Sequence, residues 1–254
     1  MKNRSFRRSN SGQVIVITAL MVALVLLSTA IFVIGTEKDV PIDVTDTTSI
    51  FSAYQQAARN TLISALANAT NGGSPSVLTT DLDELKSAIT SNSYQSILQM
   101  NLTSLTDAPY QKGVCISWGA NGQGISSACV VVETESTGRT STSISDYVVN
   151  VTSGVNLSGN SLQLDNSTQV NLTVKVQNEG SPALAQNLSF YYEDVADAWT
   201  KVNSPIVSDF GNGTYTASFT SEIDQLFFPL HVSAVCEDQR GIVVVANATC
   251  TQSR

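Results

Sequence analysis

The chain has 254 residues, 42% of them hydrophobic, and a formal net charge of −8. That hydrophobic share is ample for a buried core, whereas the acidic balance excludes a binder that tracks nucleic-acid phosphates, which needs a basic face. With His231 as the single histidine, HExxH zinc sites and multi-histidine clusters cannot be assembled within the chain.

Residues 1–13 carry Lys2, Arg4, Arg7 and Arg8 and no acid, and residues 14–35 then run for 22 positions without a charge. As a helix rising about 1.5 Å per residue, this run is about 33 Å long and fits a hydrocarbon core of about 30 Å. A transmembrane helix is therefore predicted over 14–35, with 1–13 as a cytoplasmic basic leader by the positive-inside rule and everything from about Thr36 outside the cell. The competing reading is a signal peptide cut after Ala30. The apolar run continues through Ile31, Phe32, Val33 and Ile34, past the usual signal core of roughly 7–15 residues.

Gly12-Gln13 is followed by Val-Ile-Val-Ile-Thr-Ala-Leu-Met. This stretch resembles the start of archaeal and bacterial type IV pilin-like proteins, including the Flp-type pseudopilins, in which a basic leader ends in Gly before a long apolar helix. The resemblance covers about residues 4–39 and implies leader cleavage between Gly12 and Gln13. Ser11 and Ile17 stand where that family usually carries a basic residue and a Glu. A plain single-pass anchor is the first reading and a filament subunit the second.

Between residues 36 and 155 a small α+β domain is expected, a helix pair with an antiparallel sheet. Ile50, Tyr54, Ala57, Ala58, Leu62, Ala65 and Leu66 recur every three or four residues and predict a helix to about Asn68, ended by Asn71-Gly72-Gly73. A second helix is predicted from Thr80 or Asp81 to about Met100, with Leu82, Leu85, Ile89 and Ile97 on its apolar face. Its acidic start, Asp81-Leu82-Asp83-Glu84, reads as capping rather than as a calcium loop, whose spacing and glycine are absent. Strands are expected over 113–118 and 126–133 around the glycine turn 119–124, with a third through Tyr147, Val149 and Val151. Residues 134–145, rich in Ser and Thr, read as an exposed loop.

From about residue 156 to 254 the pattern alternates. Val170, Leu172, Val174 and Val176 point one way and Asn171, Thr173, Lys175 and Gln177 the other, and the rhythm returns at Leu188/Phe190/Tyr192, at Tyr215/Ala217/Phe219 and over 230–236 and 242–248. About seven short strands separated by turn residues predict an all-β sandwich. In architecture it resembles immunoglobulin-like or fibronectin-like modules.

Four cysteines, an even count, suit an oxidising exterior. A hairpin centred on Gly122 sets Cys115 opposite Cys129, and a disulfide is expected there. Cys236 and Cys250 centre on Val243, inside a strand, so that bridging them needs the C-terminus to fold back. Nine Asn-x-Ser/Thr sequons lie beyond the apolar run, at Asn68, Asn101, Asn150, Asn156, Asn166, Asn171, Asn187, Asn212 and Asn247. Glycans are expected at several, with Asn150, Asn171 and Asn187 on solvent faces of strands.

No nucleophile elbow, phosphate loop or paired catalytic carboxylates can be read. Glu193, Asp194 and Asp197 look like a solvated loop, and His231 like an outward-facing strand residue. No cofactor or metal is expected. The expectation is a single-pass surface protein with a structural or adhesive role in the envelope. Its partners would be membrane lipid, through the apolar helix, and other surface proteins or glycans, with sandwich edges available for self-association. A pilin-like subunit is the alternative, and a secreted hydrolase a distant third.

Overall fold

The computed structural model describes residues 44–91, 98–119, 121–137, 142–164, 167–194, 198–221 and 229–252. The leader, the cleavage position at Gly12 and Gln13, the run 14–35, Asn166 and Asp197 lie outside the described residues. Among the described residues no helix is long and apolar enough to cross a membrane. The chain divides into two compact units, residues 1–52 and 53–254, and the described strands and buried helix stripes belong to the second.

The described residues are mostly antiparallel β-sheet with two helices. Helix α1 (Val44–Thr70) buries Ala58, Leu62, Ala65, Leu66 and Ala69 on one stripe. It ends where the spacing predicts: Gly72 takes φ +92°, its amide reaches Ala69 O, and Gly73 N donates to Asn68 O at 2.9 Å. This is the glycine-closed helix end that satisfies the last free carbonyls. Helix α2 (Val77–Thr90) differs from expectation at both ends. It starts after Ser76, upstream of Thr80, because Leu78 extends the buried stripe of Leu82 and Ile89 backwards. It stops at Thr90, and Met100 belongs to strand β1 (Leu98–Ser104), where the period has changed from four to two: Met100 is buried and Leu102 packs on the core, while Asn101 faces solvent.

The remaining strands are β2 (Val114–Trp118), β3 (Gln123–Thr137), β4 (Thr142–Leu164), β5 (Ser167–Asn178), β6 (Ser181–Pro182), β7 (Ala185–Glu193), β8 (Trp199–Lys201), β9 (Ile206–Asp209), β10 (Thr214–Ser221), β11 (His231–Asp238), β12 (Val243–Thr249) and β13 (Thr251–Gln252). They form a nine-stranded sheet of order β1-β3-β4-β5-β10-β9, with β2 also on β3, β6 on β5 and β13 on β4, and a four-stranded sheet of order β12-β11-β7-β8. Among the described residues the pairings are antiparallel except β13 on β4.

Two expectations about segmentation are corrected. The Ser/Thr stretch 134–145 is largely ladder, with Thr134 opposite Ser145 and Thr137 opposite Thr142, because β-branched Thr alternating with Glu suits a pleated sheet with one buried face. The expected domain boundary at 155/156 falls inside β4. This one strand pairs with β3 as far as Asn156 and with β5 from Ser153 onward, so the large sheet runs unbroken through that point.

One face of the large sheet carries the core. Val130, Val132 and Val151 share a buried cluster with Leu62, Leu66 and Leu78 of the helices. Along the same cluster Val170, Leu172, Val174 and Val176 join Phe190, Val232, Ala234, Val244 and Ala246 of the smaller sheet. The two sheets touch through β12 with β3 and β4 and through β11 with β4. The expected alternation on β5, β10 and β12 agrees with these burial patterns, and that on β11 does so except at the buried Ser233. On β7 Phe190 is buried and Leu188 and Tyr192 pack on the core, but Ser189 and Tyr191 on the other face are half-buried too.

The outer edge of β12 is sealed by the glycine turn. Gly122 N donates to Asn247 O at 2.7 Å, Asn247 N to Gly119 O at 3.1 Å, and Leu157 N to Gly122 O at 2.6 Å. Ser126 Oγ covers Val243 O, and Val243 N donates to Thr70 Oγ1 of α1. An edge that would otherwise offer free amides to another strand is thereby closed.

Candidate functional site

The sheet face turned away from the core carries an extended polar surface. On it β4, β5, β10 and β9 present cross-strand rows: Ser158, Thr173, Thr216 and Ser208 in one, and Asn160, Asn171, Ser218 and Ile206 in the next. With Thr251 of β13 they line an open groove of about 530 Å³ in which no lining residue is charged. Neighbouring strands set these hydroxyls and amides about 4.8 Å apart. Each hydroxyl both donates and accepts, and none ionises near neutral pH. The groove therefore suits neutral, hydroxyl-rich matter and has no group able to act as general acid or base. The outward alternation of β5 was legible in sequence. Ser208 and Ile206 were not, because β9 is a four-residue strand without a burial pattern of its own.

Of the sequon asparagines, Asn68, Asn101, Asn150, Asn156, Asn171, Asn187 and Asn212 are exposed. Strand parity puts Asn101, Asn150, Asn156 and Asn171 together on this outer face, whereas Asn187 lies on the other sheet. Asn150 Oδ1 accepts from Ser127 Oγ at 2.9 Å and Thr152 Oγ1 at 3.2 Å. Asn101 is engaged on both sides, by Lys86 Nζ and Glu133 Oε2. Asn247 differs from all of these: it is half-buried, its backbone is bonded in both directions to the glycine turn, and its Oδ1 is enclosed without a hydrogen-bond partner.

The cysteine expectations are corrected by register. All four thiols are free. Cys115 stands opposite Ser127, and Cys129 opposite Asn150 of β4. The hairpin centres one residue earlier than Gly122, because Gly122 is drawn out of the turn into bonds with Asn247 and Leu157. Cys115 and Cys129 thus become diagonal neighbours, about 7 Å apart at Cβ where a disulfide needs about 4 Å. Cys236 is opposite Val244, and Cys250 N bonds Leu230 O, six positions further along β11, about 20 Å away. Beyond Cys250 the chain runs on beside β4 as β13 rather than folding back. Burial pushes the Cys236 thiol up to about 12, with the charges of Asp238 and Glu237 adding to it, and the Cys250 thiol up to about 11. In the native protein near pH 8, iodoacetamide should label the half-buried Cys115 first and leave Cys236 and Cys250 unmodified. Peptide mapping that finds Cys236 labelled as fast as Cys115 would contradict the burial of Cys236.

A charged cluster fastens α1 to both sheets. Arg240 donates through Nε to Asp238 Oδ2 at 2.9 Å, through Nη1 to Glu179 Oε1 at 2.7 Å and through Nη2 to Thr152 O at 3.1 Å. Arg59 of α1 reaches Glu179 Oε2 at 3.4 Å. Burial opposes ionisation of Glu179, but hydrogen bonds from Arg240 and the Thr152 amide, with the charges of Arg240 and Arg59, outweigh it and hold this carboxyl below its ordinary pKa. A lowered folded-state pKa gives stability that is present above the unfolded value and is lost as pH falls through the folded one. The stability gap between wild type and Glu179→Gln, read from urea melts, should hold from pH 7 to about pH 5 and close toward pH 3. A pH-independent gap would remove Glu179 from the account.

Asp194 and His231 have local roles. Asp194 accepts from Ala198 N at 3.1 Å in the β7–β8 turn. His231 pairs its Nδ1 with Thr249 Oγ1 on the neighbouring strand at 3.0 Å. No known family model matches the chain, and no curated protein matches it in sequence.

Proposed function

We propose that this chain is a single-pass cell-surface protein whose β-rich body serves a structural or adhesive role in the envelope. The observation that carries the reading is the uncharged run 14–35 behind Lys2, Arg4, Arg7 and Arg8, which orients the body outward. The body's strand order supports an immunoglobulin-like assignment. Taking β4 as strand A, β4-β5-β10-β9 follows the A-B-E-D order and β12-β11-β7-β8 the G-F-C-C′ order of that architecture. The broad neutral groove and the absence of an acid/base pair within it favour display or binding over turnover. End strands β8 and β9, with Trp199, Ile206 and Val207 exposed, offer edges through which another copy or surface protein could pair.

Protease shaving of intact cells tests the reading. A C-terminal tag should be lost while the N-terminal peptide survives. A tag digested only after lysis would overturn it. The second reading, a pilin-like filament subunit, rests on Gly12-Gln13 before the apolar octet. A mature N-terminus at Gln13 in mass spectra would favour it, and an intact leader would count against it.

A further inference from the structure

We infer that the outer face of the nine-stranded sheet is a glycan-bearing face, with Asn150, Asn156 and Asn171 as acceptors and the Asn171 glycan seated in the neutral groove. The inference deepens the surface-protein reading and rests on it. The three side chains are exposed, occupy one face, and each begins an Asn-x-Ser/Thr triplet whose third residue, on the same strand, faces the same side. Asn156 and Asn171 are four positions and one strand apart, about 14 Å, and Asn150 and Asn156 six positions, about 20 Å, room enough for separate chains. At Asn150 the carbonyl oxygen is anchored by Ser127 and Thr152, which turns the amide nitrogen away from them.

Asn171 lines the groove itself, beside Thr173, Thr216 and Ser218. A sugar joined to its Nδ2 would meet hydroxyls and amides and no charge, the partners that sugar hydroxyls accept from and donate to. The bond would form when Nδ2 attacks the anomeric carbon of an oligosaccharide carried on a polyprenyl phosphate or pyrophosphate. The carbon–oxygen bond to phosphate breaks, the lipid phosphate leaves with that electron pair, and the amide proton passes to a base of the transferase. Asn247 is excluded by the same reasoning, because its side chain is half-buried and its oxygen enclosed where the glycine turn meets β12.

Full-length protein purified from a host that glycosylates exported chains tests this by peptide mass spectrometry. Sugar masses are expected on the Asn150, Asn156 and Asn171 peptides and none on Asn247. Asn171→Gln should lose one glycan mass, and Asn247→Gln none. Through-space NMR contacts between the first sugar and the Thr216 methyl group should appear in wild type and vanish in Asn171→Gln. Bare Asn150, Asn156 and Asn171 on a body that shaving places outside the cell would overturn the inference and leave the location standing. A modified Asn247, or an Asn171 glycan without contacts to Thr216, would also overturn it. A body found in the cytosol sinks both readings.

Discussion

Asp238→Ala should destabilise the protein by about 3–5 kcal/mol, the usual cost of removing one member of a buried ion pair. Asp238 is fully buried at the β11–β12 turn. Its Oδ1 accepts from Arg240 N at 2.8 Å and Ile242 N at 3.0 Å, and its Oδ2 from Arg240 Nε at 2.9 Å. Truncation leaves two backbone amides without these acceptors and a largely buried guanidinium with only Glu179 as counter-charge. It also loosens the anchorage of α1, because Asn71 Nδ2 bonds Gly241 O within the same turn. Urea melts should show a lower midpoint with an unchanged slope. Asp238→Asn, which keeps an acceptor oxygen for the amides, should cost less than the alanine variant. A loss below about 1 kcal/mol for Asp238→Ala would mean that water replaces the carboxylate, contrary to its full burial.

Gly122→Ala should be comparably severe, about 3 kcal/mol or more, from two costs that act together. Gly122 has φ +75°, a conformation that strains any L side chain, and an added Cβ would lie 2.2 Å from Leu157 O. The obstacle is backbone, so no rotamer change relieves it. Relief requires the turn to withdraw from β4 and β12, breaking the Gly122 N to Asn247 O bond. That would reopen the β12 edge. The variant should therefore melt earlier and also aggregate more readily at equal unfolded fraction, as light scattering would report. Gly180→Ala is the control: it shares the positive φ, +77°, but an added Cβ meets nothing within 4 Å. It should cost only the backbone strain, about 1 kcal/mol. Equal losses for the two variants would show that the close approach at Gly122 is unimportant.

Much of the fold is local and could be read from residue order. Alternation in β5 and β10 to β12 identified which side chains are buried, because the period of two is imposed by each strand's own backbone. The stripe of α1 and its glycine stop were visible for the same reason. The end of α2 was not: Ile97 and Met100 continue an apolar count that suits either element, and the backbone turns to strand because β3 offers a ladder from Val130 to Ser136. The candidate site was half legible. Asn171 and Thr173 could be assigned to an outward face, but their assembly with Ser208, Thr216 and Thr251 depends on strands brought together from distant parts of the chain.

By itself the residue order determined the strand periods and the places where the chain must turn, since each of these acts within a few neighbouring residues. Tertiary structure decided register and continuity. A shift of one residue in the glycine turn, drawn by bonds to Asn247 and Leu157, moved Cys115 from Cys129 to Ser127. Pairing of β4 with different partners along its length joined two expected domains into one sheet. Both outcomes are set by hydrogen bonds and packing between segments far apart in the chain, such as Asn247 and Gly119, and no local pattern carries that information.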